Sequence, residues 1–172
     1  GEALLFATKV TTRLGSVNDG TTLLDPSELE KERQHSVDPA VAFVENAGKT
    51  INLIDAPGYP DFVGGALTSM AGADTAVIMI SASAGIEVNT RRMFKAARDL
   101  GLPIVLVINK IDADNVDLPG VMAAVEETFG SACKAMNLPS GGAKSVVDCF
   151  ASDSGDADFG DVGDAHTQLV EN

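Results

Sequence analysis

Positive charge is scarce in this 172-residue chain, which carries 12 Lys and Arg residues against 25 Asp and Glu residues and a formal net charge of −13. Such a chain repels a phosphate backbone, because general nucleic-acid binding depends on Lys and Arg side chains that displace condensed counterions. We therefore expect no direct general binding of RNA or DNA. Docking on one protein, or on one basic site of a larger particle, remains compatible with the charge.

Cysteines and long apolar runs are also scarce. Cys133 and Cys149 are the two cysteines of a chain that is large enough to fold without cross-links, so we interpret them as reduced thiols. The longest apolar runs, 76–80 and 102–108, are far shorter than the roughly 20 residues of a membrane helix. No charged leader precedes an apolar stretch. We expect no membrane association and a cytoplasmic location.

The chain does contain enough apolar sequence for one core, with 45% hydrophobic and 22% charged residues. Its periodicity predicts strands that alternate with helices. The predicted strands are 41–44, 51–54, 75–80 and 104–108, and the predicted helices are 1–8, 87–100 and 118–129. Alternation of this kind predicts an α/β fold with a mostly parallel sheet and helices on both faces.

Two stretches have a different composition. Residues 14–38 are polar and rich in turn formers, which predicts a long and partly helical loop of the kind that is usually functional or mobile. After residue 138 a Pro-Ser-Gly-Gly run predicts a break, followed by a short strand at 146–150. Residues 153–172 carry six acids and no Lys or Arg, so we expect an exposed segment that cannot pack a core unaided. We therefore predict one domain at 1–140 and the start of a second at 141–172.

Two polar motifs follow apolar strands, at the edge where open α/β sheets bind ligands. The first is Asp55-Ala56-Pro57-Gly58. A carboxylate at this edge can hold a hydrated magnesium ion, and Gly58, which lacks a Cβ, lets a backbone N–H approach a terminal phosphate closely. Taken alone, this motif is more typical of a plain strand-to-helix turn.

The second motif is Asn109-Lys110-Ile111-Asp112, which begins 54 positions (109 − 55) after Asp55. An Asp carboxylate offers two acceptors that match the N1 and N2 protons of guanine, whereas adenine would leave those acceptors unpaired. A capped helix start with a solvated Lys is the alternative for this motif alone. Its combination with Asp55 favours a guanine-nucleotide site.

Three runs in order, 52–64, 84–92 and 107–112, resemble the guanine-nucleotide domain of the elongation factor G family. The resemblance covers residues 2 to about 150 and is strongest to elongation-factor-G-like proteins that have Tyr after the Gly58 position. It implies a P-loop-NTPase-like fold, GTP or GDP with Mg²⁺ as cofactors, and the ribosome as partner. The implied activity is GTP hydrolysis during translation elongation.

The resemblance also implies roles for individual residues. The implied nucleotide-binding residues are Asp55, Pro57, Gly58, Asn109, Lys110 and Asp112. In the family, the residue at Asp55 holds Mg²⁺ through water and the one at Gly58 senses the γ-phosphate. Asn109 and Asp112 would contact guanine, and the aliphatic stem of Lys110 would pack on the base.

Residues 30–37 resemble the first switch of the family, Glu-x-Glu-Arg-Gly-Ile-Thr-Ile. This alignment places Ser36 at the threonine that coordinates Mg²⁺, although Gln34 and His35 depart from the pattern. Most of the family has, after Gly58, a histidine that orients the attacking water. Here Tyr59 takes that place as the implied catalytic residue. Its hydroxyl is a poor base at neutral pH, which predicts slow or differently triggered hydrolysis.

The sequence contains no Gly-x-x-x-x-Gly-Lys-[Ser/Thr] run, whose backbone N–H groups cradle the β-phosphate. In the family this run lies directly ahead of the helix that begins at Gly1, and the final base-contacting Ser-Ala motif lies beyond an inserted subdomain. We therefore expect a chain cut at both ends, with hydrolysis in the intact parent and weak or no GTP binding by this fragment.

Two alternatives stay open on the sequence. One is a nucleotide-free interaction module of the same fold, which binds a ribosomal or regulatory protein through fixed surfaces. The other is a release-factor-like or ribosomal-protection-like GTPase, because the domains that distinguish these proteins from elongation factors are not in this chain.

Overall fold

The computed structural model describes residues 1–171, which form two compact units: 1–76 with 95–104, and 77–94 with 105 onward. The elements are α1 (Glu2–Ala7), α2 (Glu28–Arg33), β1 (Ala40–Asn46), β2 (Lys49–Asp55), α3 (Val63–Ala71), β3 (Ala76–Ser81), α4 (Val88–Asp99), β4 (Ile104–Asn109), α5 (Leu118–Phe129), β5 (Asn137–Ser140), β6 (Ser145–Asp148) and α6 (Val162–Val170). This order confirms the predicted α/β fold. No helix within residues 1–171 combines the length and the apolar composition needed to cross a membrane.

β1 and β2 form an antiparallel hairpin in the first unit, with Ala40 opposite Asp55. The two residues of its turn, Ala47 and Gly48, have φ values of 49° and 73°. Two-residue hairpin turns of this hand need a positive φ at both positions, which Gly adopts without steric cost. The turn sets the register that ends β2 at Asp55.

The core of the first unit lies on one face of this hairpin. Val44 of β1 packs with Leu5 of α1 and with Leu24, and all three are almost fully buried. Burying each such side chain contributes about 1.5–3 kcal/mol. The core therefore holds the first helix and the loop before α2 against the strand that precedes Asp55.

β3 and β4 form a parallel pair connected through α4. The Ala76 N–H donates to the Pro103 carbonyl at 2.9 Å, and beyond the other end the Ala82 N–H donates to the Asn109 carbonyl at 2.8 Å. The strands of the described residues form three two-stranded ladders, β1–β2, β3–β4 and β5–β6. The parallel part of the sheet is consequently small.

β5 and β6 form a second antiparallel hairpin, which begins earlier than the sequence predicted. Pro139 lies within β5, opposite Val146, where the Pro-Ser-Gly-Gly run had predicted a break. The turn instead falls at residues 141–143, all of which have φ between 60° and 69°. Asp158 holds this turn, because its carboxylate accepts the Gly142 and Ala143 N–H groups at 2.9 and 2.7 Å.

The acidic segment at the end of the chain does not stand alone. Its six acids are exposed, but the apolar residues between them pack with the β5–β6 hairpin. Val162 of α6 lies in a buried cluster with Leu138 and Cys149, and Phe159 and Leu169 pack against that cluster. The composition predicted the exposed carboxylates and missed the helix between them.

Candidate functional site

The predicted site residues fall into two groups, one in each unit, and each group forms a local arrangement of its own. The first group comprises Ser36, Asp55, Pro57, Gly58 and Tyr59. The second group comprises Asn109, Lys110 and Asp112.

Asp55 ends β2 and is partly buried. A Cβ built on Gly1 would lie 3.1 Å from Asp55 Oδ2, so the start of α1 lies close against this carboxylate. Burial raises the pKa of Asp55, the Gly1 ammonium group opposes that effect, and the negative charges of Asp25 and Glu2 raise the pKa further. The three acids therefore form a cluster whose mutual repulsion a cation would relieve.

Asp25 joins Ser36 to this cluster. The Ser36 hydroxyl donates a hydrogen bond to Asp25 Oδ1 at 2.6 Å, and Asp25 is 9% exposed. Because the hydroxyl proton points at Asp25, the Ser36 oxygen keeps lone pairs for a metal ion. The sequence analysis did not single out Asp25, and no local pattern in the sequence marks it.

The oxygen atoms of Ser36, Asp25 and Asp55 suit a magnesium ion that takes its other ligands from water and phosphate. They do not suit a metal ion whose ligands all come from the protein. Within residues 1–171, no group of three or more His, Cys, Asp or Glu side chains could hold a metal ion unaided. Mg²⁺ is usually bound through one or two carboxylates together with waters and substrate phosphates. The first group of residues offers that partial ligand set.

Glu30 anchors the loop that carries Ser36. Its side chain is 3% exposed, and Oε1 accepts the N–H groups of Val37 and Asp38 at 3.0 and 3.2 Å. Burial raises the pKa of this carboxyl, but the hydrogen bonds from Val37, Ser27 and Asp38 outweigh burial and lower the pKa to about 2. The ionised side chain thus fixes the two residues that follow Ser36.

The sequence did contain a signal for Glu30. Ser27 and Glu30 have the Ser-x-x-Glu spacing of a capping box. The structure shows both bonds of that box, with the Ser27 hydroxyl accepting the Glu30 N–H at 3.2 Å and Glu30 Oε2 accepting the Ser27 N–H at 3.2 Å. A capping-box search would have located α2 and its anchoring acid.

Pro57, Gly58 and Tyr59 follow Asp55 in an open turn. Pro57 is buried and Gly58 is exposed. A Cβ built on Gly58 would meet no atom within 4 Å, so one side of this residue is open to a ligand. Tyr59 is 53% exposed, and its ring stacks on the His35 imidazole with the ring centroids 4.3 Å apart.

The second group lies on the turn after β4. Asn109, Lys110 and Asp112 are all exposed. Lys110 has a φ of 58°, a left-handed conformation that costs a residue with a side chain on the order of 1 kcal/mol. The Ala113 N–H donates to the Lys110 carbonyl at 3.2 Å and closes the turn. Three side chains of the predicted guanine-binding motif are thus presented on one exposed turn.

A pocket of about 500 Å³ opens in the same unit, beside the residues that follow this turn. Its lining includes Gly85, Ile86, Asp114 and Asp117, and the Asp117 carboxylate caps α5 by accepting the Gly120 N–H at 3.1 Å. The predicted guanine-contacting side chains do not line this pocket. They lie on the exposed turn instead.

The chain is similar to several known proteins. The elongation factor Tu GTP binding domain family matches residues 1–168. An elongation factor G-like protein of Mycobacterium tuberculosis is 39% identical over 140 residues, which cover 81% of this chain and 20% of the relative. The tetracycline resistance protein TetM from transposon Tn1545 of Enterococcus faecalis is 36% identical over 130 residues, which cover 76% of this chain and 20% of the relative. The chain therefore spans about 20% of the length of these relatives.

The fold of this chain is also similar to that of solved structures. A crystal structure of a Thermus thermophilus protein has a TM-score of 0.81 and 35% identity, covering 87% of this chain and 23% of that one. The bacterial selenocysteine-specific elongation factor EF-Sec has a TM-score of 0.55 and 24% identity over 74% of this chain and 20% of its own, and supports the fold alone. The predicted resemblance is confirmed, and the chain belongs to the elongation factor Tu GTP-binding domain family.

Proposed function

We propose that this chain is the guanine-nucleotide-binding part of a cytoplasmic translational GTPase whose full-length product hydrolyses GTP on the ribosome during elongation. The observation that carries the proposal is the hydrogen bond from the Ser36 hydroxyl to Asp25, whose negative charge acts on the partly buried Asp55. These oxygens lie on the first switch-like loop and at the end of a strand that leads into Gly58. That is the arrangement that a magnesium-nucleotide complex requires.

Ser36, Asp55 and Gly58 would supply the metal and phosphate contacts. Ser36 would bind Mg²⁺ through its hydroxyl oxygen, and Asp55 would bind it through water. The Gly58 N–H approaches the terminal phosphate from the open side of the turn. When bound, the ion offsets the negative charge of the phosphates. Loss of the terminal phosphate would release the loop around Ser36. The protein would then have two states for the ribosome to distinguish.

Asn109, Lys110 and Asp112 would supply the base contacts. Asp112 accepts the N1 and N2 protons of guanine, Asn109 adds a contact to the base edge, and the Lys110 stem packs on its face. Selectivity over adenine follows because adenine would leave the Asp112 acceptors without donors.

Tyr59 takes the position of the catalytic residue, beside the Gly58 turn. A phenol donates or accepts a hydrogen bond but is a poor base, so we infer that it orients the attacking water and that hydrolysis is slow. A single-turnover rate of the full-length product with ribosomes that is unchanged by Tyr59→Phe would exclude a role for the hydroxyl.

The domain boundary belongs to the same proposal. Residues 1–140 form part of the nucleotide-binding domain, and residues 141–172 begin an inserted subdomain. Support comes from β6 and α6, which share a buried cluster, and that cluster also includes Leu138 of β5, just before residue 141. A ribosomal-protection role is a second candidate function for the full-length product, because TetM matches this chain at 36% identity.

Calorimetric titration of the 172-residue chain with GDP and Mg²⁺, with ATP and Mg²⁺ as the control, tests nucleotide binding. Because the phosphate-cradling run is absent from this sequence, we expect weak but saturable heat from GDP and none from ATP. Asp112→Asn provides a sharper test, because the amide accepts the N1 proton but presents a donor to position 2. This variant should lose GDP and gain xanthosine diphosphate, whose position 2 carries a carbonyl.

The opposite result would favour the nucleotide-free interaction module. In that case a folded sample gives no heat with GDP, and adding the codons that precede Gly1 in the gene does not restore binding. Thermal unfolding with and without GDP gives an independent measurement, because a ligand that binds only the folded state raises the melting temperature.

A further inference from the structure

Two aromatic side chains meet between the Ser36 loop and the Gly58 turn. The His35 and Tyr59 rings stack with centroids 4.3 Å apart and an interplanar angle of 29°. His35 also lies near Phe62, with centroids 6.0 Å apart. His35 stands where the resembling switch pattern has Ile, and Tyr59 stands where most of that family has His. The chain departs from the pattern at both positions, and the two unusual side chains touch.

Both rings are attached to fixed backbone. The Phe62 N–H donates to the Tyr59 carbonyl at 3.0 Å, which closes a 3₁₀ turn with Pro60 at its first position. On the other side, Glu30 holds the N–H groups of Val37 and Asp38. The stack therefore joins two segments whose backbones are already anchored. What the stack adds is a restraint on the Tyr59 side chain.

We propose that His35 is the positioning residue of the hydrolytic site: its imidazole stacks on Tyr59 and holds the phenol beside Gly58 while the Ser36 loop is closed. The inference rests on the proposed function. Effective orientation of a water molecule needs a side chain with few accessible rotamers. The stack restricts the half-exposed phenol in this way, because an aromatic neighbour favours one ring placement over the others.

The same contact couples the two segments that sense the nucleotide. Opening of the Ser36 loop withdraws His35 from Tyr59, so the phenol loses its orientation when the loop is released. The full-length product then hydrolyses GTP only in the closed state. Ser36 reports the presence of the metal, and His35, its immediate neighbour, transmits that state to Tyr59.

Fluorescence of the 172-residue chain measures the stack directly, because Tyr59 is the only tyrosine and there is no tryptophan. The variants are His35→Ala, which removes the ring, and His35→Phe, which keeps a ring without nitrogen atoms. Lys49→Ala, an exposed change at the β1–β2 turn, is the matched control. Acrylamide quenching of Tyr59 should rise in His35→Ala and stay at the wild-type value in the other two. Equal quenching in the wild type and all three variants would show that His35 does not shield Tyr59, which contradicts the stacking.

GTP hydrolysis by the full-length gene product with ribosomes tests the role. We expect His35→Ala to lower the single-turnover rate at saturating GTP by roughly twofold to tenfold, the factor that one aromatic pair supplies. Half-saturation by GTP and affinity for GDP should not change. His35→Phe should restore most of the rate, and Lys49→Ala should match the wild type.

The outcomes separate the two proposals. A rate that does not respond to His35→Ala would overturn the positioning role and leave the GTPase intact. If His35→Phe is as slow as His35→Ala, the imidazole nitrogens act themselves and stacking is not the cause. A wild-type product that hydrolyses no GTP would overturn the proposed function, whatever the quenching experiment shows.

Discussion

At the level of single side chains, Glu30 matters most for the first unit. It is buried, and the hydrogen bonds described for it include no cationic partner. Four hydrogen bonds from Ser27, Val37 and Asp38 stabilise its ionised form. Buried carboxylates persist when such donors replace water. The loop that presents Ser36 and His35 is therefore organised by a residue that touches neither the proposed metal nor the nucleotide.

Glu30→Gln should destabilise the 172-residue chain by about 1–3 kcal/mol, because a neutral amide accepts these hydrogen bonds less strongly and brings donors of its own. Urea unfolding at pH 7 measures the effect. The exposed change Glu32→Gln is the matched control and should stay within about 0.5 kcal/mol of the wild type. Equal stability of the two variants would contradict the anchoring role of Glu30.

The pH dependence of the stability difference between the wild type and Glu30→Gln gives a second prediction. The pKa of Glu30 is lowered from 4.5 to about 2 in the folded chain. Its contribution to stability, roughly 3 kcal/mol by linkage, is complete above pH 4.5 and is lost as the pH falls from 4.5 towards 2. The stability difference between the wild type and Glu30→Gln should therefore shrink over this range. A constant difference down to pH 2 would show that the charge is not the cause.

At the level of secondary-structure elements, a small apolar cluster and a polar contact hold α6 against the β5–β6 hairpin. Val162 is 3% exposed within the cluster, and the His166 Nδ1 lies 2.9 Å from the Cys149 carbonyl oxygen. A helix of nine residues is too short to be stable in water without such packing. Its order depends on the hairpin.

Val162→Ala should cost about 1–3 kcal/mol through the cavity that it leaves. Hydrogen exchange should then accelerate in β5, β6 and α6, while the amides of β1 and β2 keep their wild-type protection. Val170→Ala, on the same helix but 63% exposed, is the control and should leave exchange unchanged. Faster exchange throughout the chain would show that the cluster is not a local unit of stability.

At the level of the whole molecule, the net charge of −13 sets the response to salt. The ion pairs in the described residues, Lys31 with Glu28 and Lys95 with Asp99, lie at the surface, each with at least one exposed partner, and contribute little. Unbalanced repulsion among the acids therefore dominates the electrostatics of folding.

Added NaCl should raise the melting temperature of the chain. Between 0.01 and 0.15 M salt the Debye length falls from about 30 to about 8 Å, which screens repulsion between distant acids. Differential scanning calorimetry at constant pH measures the change, and an uncharged osmolyte at equal osmolality is the control. A melting temperature that falls with NaCl would show that attractive pairs outweigh the repulsion.

Much of the fold, and the place of the turn that carries the proposed base-binding motif, could be predicted from the sequence because these features are local. The helix at 118–129 matches α5 residue for residue, and the strand at 104–108 ends within one residue of β4. Periodicity and turn residues encode such elements over a few neighbouring positions. The same holds for the Asn109-Lys110-Ile111-Asp112 turn, whose side chains act from one short stretch.

The amino-acid sequence thus specified the α/β order, the two motif turns and the excess of acids. The contact between Asp25 and Ser36, and the stack of His35 on Tyr59, came from the folded chain. These pairs join residues that lie far apart in the sequence, and no periodic pattern links them. Their meeting depends on how Glu30 folds the loop and how the β1–β2 hairpin places Asp55, and packing settles both.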